Sequence, residues 1–175
     1  FELEETLRNT CEAARTRAEA KGLRFETFIS ASCDGVYRGD PVRIGQVLGN
    51  LLNNAVKFTE QGHISVSAVA HHALWDSWVH ERDILVPLGI EQVVEPDEVA
   101  ASLAYAAALS PAFSVALGRG RTGALGVSTT DPALELAVEV GDQVRVVDGP
   151  AESADLVLTG DAVELLATLS IRRPF

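Results

Sequence analysis

The stretch NLLNNAVKFTEQGHISV, residues 50–66, carries the clearest structural signal in this chain. Within it and just before it, apolar side chains recur every three or four positions, which predicts an amphipathic helix. Asp40 and Pro41 suit the N-cap and the first position of that helix. The segment EQG predicts a turn, and residues 63–70 favour a strand. We therefore expect a helix, a turn and a strand in this order.

The start of the chain also predicts a helix followed by a strand. Apolar side chains at helical spacing predict an amphipathic helix over residues 3–21, ended near Gly22. Residues 23–30 then alternate in polarity, as a half-buried strand does. Together these segments predict a helix–strand–helix–strand arrangement for the first part of the chain.

The composition changes near residues 69–71, which is the best candidate for a domain boundary. Residues 71–89 predict a helix that is rich in histidine and tryptophan and stops at Pro87 and Gly89. An alanine-rich helix is expected over residues 95–117, kinked or split in two by Pro111.

The remainder of the chain predicts mainly strands and one closing helix. The expected strands are residues 122–130, 134–140, 143–147 and 154–159. Gly141-Asp142 suits a tight hairpin turn between two of them. Asp161 and Glu164 form a capping-box pattern, and the helix that follows is expected to bury Val163, Leu166 and Leu169.

These elements define an α+β fold, with helices layered on a mixed or antiparallel sheet. One compact domain or two small docked subdomains, residues 1–70 and 71–175, would both satisfy the pattern.

Composition limits the classes of function. Apolar residues make up 47% and charged residues 22% of the chain, as in a soluble globular protein. The net charge of −11 and a pI near 4.7 argue against nucleic acid and anionic membranes as partners. We find no apolar run near the ~20 residues that span a bilayer. Cys11 and Cys33 lack metal-ligand spacing and are expected to be buried, reduced thiols. We expect a cytoplasmic protein, and no feature defines a protein partner.

Three polar residues of the helix before the turn share one face. Asn50, Asn54 and Lys57 stand at positions i, i+4 and i+7. Amide oxygens can ligate a hard cation such as Mg²⁺, and a lysine can meet phosphate oxygens. The pattern indicates a Mg-nucleotide site, although any solvated helix face can carry these residue types.

The wider segment RAEAKGLRFETFIS…GDPVRIGQVLGNLLNNAVKFTEQGHISV resembles the ATPase domain of sensor histidine kinases over residues 1–69. The stretch GDPVRIGQVLGNLLNNAVKFT is similar to the N-box of that family. The resemblance implies that Asn54 ligates Mg²⁺ and that Asn50 and Lys57 face the phosphates of ATP. It also implies a sandwich of helices on a mixed sheet.

Other motifs of the family are missing after residue 70. We find no D-x-G-x-G segment and no matching lid hinge. Gly118, Gly120 and Gly123 satisfy G-x-G-x-x-G, but a helix is expected before them and a strand after them. A phosphate loop needs the reverse order, so we predict a turn here. We therefore expect Mg-nucleotide binding at most, and no complete catalytic site.

The histidine-rich helix offers a second candidate site. His72, Asp76 and His80 fall at i, i+4 and i+8, a spacing that can bring imidazole and carboxylate ligands to one Zn²⁺ ion. The alternative is an ordinary polar face opposite Leu74, Trp78 and Ile84.

ALWDSWVHERDILVPLG and the closing GDAVELLATLSIRR resemble the maleylpyruvate isomerase family of mycothiol-dependent, DinB-like enzymes, over residues 71–175. The resemblance implies that Asp76 and His80 are zinc ligands, although the bundle helix that supplies the family's third ligand has no counterpart here.

The two resemblances meet near residue 70, so we expect a composite of two family segments. Three functions stay open. The chain is a histidine-kinase-like nucleotide-binding module, a catalytically inert structural or interaction domain, or a remnant of an isomerase-type metal protein.

Overall fold

In a computed structural model that describes residues 1–29, 35–149 and 154–171, the chain forms five α-helices and six strands. This confirms the α+β class. The chain divides into two compact units, Phe1–Ala73 and Leu74–Phe175, and each is described by itself below.

The first unit packs two long helices with a small parallel sheet. Strand β1 (Arg24–Glu26) pairs in parallel with strand β2 (His63–Ser65), and Phe25 lies opposite Ile64. The unit also contains the start of helix α3. The elements are α1 (Leu3–Ala20), β1 (Arg24–Glu26), α2 (Pro41–Phe58), β2 (His63–Ser65) and α3 (Val66–Leu85).

The core of the first unit lies between α1 and α2. Gly45 of α2 allows a close approach of α1, because an added Cβ there would lie only 3.3 Å from Thr10 Oγ1. Burial raises the pKa of the Cys11 thiol, as expected for an inert, buried cysteine. Cys33 lies outside the described residues. The buried set is Cys11, Ala14, Ala18, Leu23, Phe25, Leu48, Leu52, Val56, Ile64 and Val66.

Helix α2 begins where the sequence predicts. The Asp40 carboxylate accepts hydrogen bonds from the backbone N–H groups of Val42 (2.9 Å) and Arg43 (3.2 Å). Pro41 occupies the first turn, where its missing N–H costs nothing.

The second unit contains a four-stranded mixed sheet in the order β5-β4-β3-β6. Strand β3 is antiparallel to β4 and parallel to β6, and β4 is antiparallel to β5. A short 3₁₀ turn at Val86–Leu88 follows α3. The elements are α4 (Pro96–Ala116), β3 (Gly123–Thr129), β4 (Glu135–Val140), β5 (Val144–Asp148), β6 (Leu156–Gly160) and α5 (Ala162–Leu169).

One face of this sheet forms the second core together with the helices. Inward side chains of β3 and β4 pack with the apolar faces of α4 and α5 and with Trp78 of α3. Leu166 is fully buried, as predicted for α5, and Val163 and Leu169 are partly buried around it. The buried set is Trp78, Val79, Val99, Leu103, Ala106, Ala107, Val127, Leu136, Val138, Ala162 and Leu166.

The prediction of a strand over residues 63–70 is wrong beyond Ser65, because helix α3 begins at Val66. Val66 is buried, and Val69 packs against the same core one helical turn later. A short apolar run is compatible with the period of a strand and with that of a helix, and here packing against the core favours the helix. The first strand is also shorter than predicted, at Arg24–Glu26 instead of 23–30; Ser30 lies outside the described residues.

Helix α4 continues through Pro111 instead of splitting there. Proline removes one donor from the helical ladder. Ala106 and Ala107, one turn earlier, are buried in the core, and this packing holds the helix together.

A predicted hairpin turn and a predicted helix cap are both present in the second unit. Val140 pairs with Val144, which confirms the hairpin but leaves three residues in its turn. The Asp161 carboxylate accepts a hydrogen bond from the Glu164 N–H at 3.0 Å, which confirms the cap of α5.

Within the described ranges, α4 is the one helix that is long and apolar enough, by length and composition, to cross a membrane. The expectation that no apolar stretch approaches this length did not anticipate α4. Val99, Leu103, Ala106 and Ala107 of this helix are buried in the second core, so its apolar composition also serves packing.

Candidate functional site

The structure brings Asn50, Asn54 and Lys57 together on one solvent-exposed face of α2. The opposite face carries the buried side chains of Leu48, Leu52 and Val56. Burial of that apolar face fixes the rotation of the helix about its axis, and this rotation turns the polar stripe outward.

The helix that carries this stripe has a net positive charge. Helix α2 contains Arg43 and Lys57 and no acidic residue. Residues 1–73 contain eight basic residues (lysine or arginine) and nine acidic residues. Residues 74–175 contain six basic and sixteen acidic residues. The acidic character of the chain is therefore concentrated in the second unit, away in sequence from the stripe.

Two further residues restrain Lys57, and neither was singled out from the sequence. The Lys57 ammonium lies 5.0 Å from the ring centroid of Phe58, a cation–π contact with a side chain that is 73% exposed. From the end of α1, Lys21 donates hydrogen bonds to the carbonyls of Val56 and Lys57. The AKGL segment that carries Lys21 belongs to the recognised resemblance, but the sequence does not reveal which groups this lysine meets.

The predicted zinc residues of the second unit form a pair on α3. His80 Nε2 lies 3.4 Å from an Asp76 carboxylate oxygen, and His80 Nδ1 lies 3.7 Å from Asp83 Oδ2. All three side chains are largely exposed. Within the part of the chain that the structure describes, no three histidine, cysteine, aspartate or glutamate side chains are arranged so that they could hold one metal ion.

The glycine-rich segment after α4 forms a connection between a helix and a strand. Gly118 has φ near 66°, the left-handed conformation of a helix C-terminus, and β3 begins at Gly123. This order confirms the turn predicted here.

Comparison with known proteins relates part of the chain to histidine kinases. Hybrid signal transduction histidine kinase C of Dictyostelium discoideum is 36% identical over 67 residues, 38% of this chain. Histidine kinase 3 of Arabidopsis thaliana is 34% identical over 77 residues, 44% of the chain. Histidine kinase 2 of the same plant is 33% identical over 96 residues, 54% of the chain.

These matches cover only 6%, 7% and 7% of the three kinases. No family model matches the chain, and no solved structure matches it. The chain thus contains a histidine-kinase-related segment. None of the three relatives supports the isomerase-type resemblance of residues 71–175, so that resemblance and the composite origin stay predictions.

Proposed function

We propose that the first unit is a histidine-kinase-related module that binds a Mg-nucleotide on the exposed face of α2. Asn54 ligates Mg²⁺, and Asn50 and Lys57 face the phosphates. The observation that carries this proposal is the common exposed face of these three side chains. The relation of part of the chain to histidine kinases supports it.

The chemistry of the stripe matches the ligand. Mg²⁺ prefers oxygen ligands and keeps several waters, so one amide oxygen together with phosphate oxygens suffices on the protein side. The lysine ammonium supplies a point charge for the phosphates. Because α2 carries no carboxylate, none of its side chains repels a polyphosphate.

We propose binding without turnover. Hydrolysis requires a general base that can take a proton from water, and the amide of Asn50 cannot serve as one. The stripe also forms a single exposed wall, whereas tight nucleotide sites enclose most of the ligand. We therefore expect an affinity in the micromolar to millimolar range.

Isothermal titration of the full chain with ATP and ADP, with and without Mg²⁺, tests the proposal. We expect Mg-dependent binding that Asn54→Ala weakens by about tenfold or more, since it removes the metal ligand. Asn9→Ala is the matched control, because Asn9 is an exposed asparagine of α1 and does not belong to the stripe on α2. Absence of heat up to millimolar nucleotide would overturn the proposal and leave the inert structural domain and the metal-binding remnant as the remaining functions.

A metal-binding remnant in the second unit is the second candidate. Two ligands of a tetrahedral Zn²⁺ ion lie roughly 3.3 Å apart, given bond lengths of about 2.0–2.1 Å. The 3.4 Å between His80 Nε2 and Asp76 Oδ1 fits this spacing. We expect only weak zinc binding, lost in Asp76→Ala and measured by titration against a competing chelator. Stoichiometric zinc that survives purification would contradict this expectation and indicate a complete site.

A further inference from the structure

Lys21 joins the ends of the two helices of the first unit. It is the C-cap residue of α1, and its ammonium donates to the carbonyls of Val56 and Lys57, at 2.9 Å each. Both acceptors belong to the last turn of α2.

The last carbonyls of a helix have no partner within the helix, and they form the negative end of its dipole. An ammonium group has three donors and a full positive charge, so it can satisfy two carbonyls at once. Lys21 therefore caps α2 from a neighbouring helix. In α2 itself, the Thr59 N–H bonds to the Ala55 carbonyl and closes the turn.

We propose that Lys21 is a positioning residue of the nucleotide site and that it acts through Lys57. This proposal rests on the function proposed above. Helix ends fray first, and Lys57 is the second-last residue of α2. Asn50 and Asn54 lie deeper in the helix. Lys21 holds the backbone carbonyl of Lys57 by a hydrogen bond. The ammonium of Lys57 lies over the ring of Phe58, so both the backbone and the side chain of Lys57 are restrained.

Loss of Lys21 should consequently affect the phosphate contact and leave the metal contact intact. We expect Lys21→Met to weaken Mg-ATP binding by about fivefold, because the last turn of α2 then samples conformations that withdraw Lys57. Lys21→Arg, which retains the donors and the charge, should restore affinity to within about twofold. Arg17→Met is the matched control. Arg17 is a cation in the last turn of α1, but unlike Lys21 it donates no hydrogen bond to a carbonyl of α2.

A double-mutant cycle separates positioning from general destabilisation. Mg-ATP affinity is measured by titration calorimetry for the wild type, Lys21→Met, Lys57→Ala and the double variant. If Lys21 acts through Lys57, Lys21→Met causes no further loss once Lys57 is alanine. Equal losses in both backgrounds would overturn the proposal, as would unchanged affinity of Lys21→Met. A wild-type chain that binds no nucleotide would instead overturn the proposed function, and this proposal with it.

Discussion

Replacing Leu52 by alanine is expected to lower the free energy of unfolding of the first unit by about 2–5 kcal/mol. Leu52 is fully buried on the inner face of α2. It packs in the core that α2 shares with α1, where Ala14 and Ala18 are too small to fill the space it would leave. The loss combines the transfer free energy of the removed carbons with the cost of the cavity.

Val47→Ala provides the matched control on the same helix. Val47 is 61% exposed, so its truncation should change stability by less than about 0.5 kcal/mol. Urea unfolding of the full chain, followed by far-ultraviolet circular dichroism, measures both variants. Equal effects of the two substitutions would mean that α2 does not bury the face described here.

The second large effect is expected for Trp78→Ala, which should lower the free energy of unfolding of the second unit by about 3–5 kcal/mol. Trp78 is 1% exposed and is the largest side chain that is fully buried. The guanidinium of Arg82 lies 3.8 Å from its ring centroid, so the substitution also removes a stacking contact. The Arg82 side chain is itself only 12% exposed, and this burial lowers the pKa of its guanidinium.

Two further variants test whether packing of the Trp78 side chain accounts for this loss of stability. The indole nitrogen of Trp78 is buried and has no hydrogen-bond partner among the residues that the structure describes. Trp78→Phe therefore loses no hydrogen bond of the indole nitrogen. Because phenylalanine fills more of the space than alanine, Trp78→Phe should lower the free energy of unfolding clearly less than Trp78→Ala. Ile84→Ala is the control on the same helix, because Ile84 is 63% exposed. Urea unfolding by circular dichroism is again the measurement, and a Trp78→Phe variant as unstable as Trp78→Ala would contradict this account.

Much of the candidate site followed from local sequence pattern. The spacing of Leu48, Leu52 and Val56 determined which face of α2 is buried. The same helical period placed Asn50, Asn54 and Lys57 on the opposite face, and Asp40 marked the start of the helix. These properties depend on one helix and its cap, so residues within two turns of each other suffice to predict them.

The ambiguous segments were decided by packing. Residues 66–70 suit either a strand or a helix, and the contact of Val66 and Val69 with the first core selected the helix. Pro111 is a local signal against helix, and the burial of α4 overrode it. In both cases the free energy of tertiary contacts exceeded a weak local preference.

The sequence alone determined the α+β class, the limits of most elements and the polar stripe on α2. The tertiary structure decided the course of residues 66–70 and the pairing of Lys21 with the end of α2. Lys21 and Val56 are separated by 35 positions along the chain. No periodicity encodes such a contact, because it forms only after two helices have buried their apolar faces against each other.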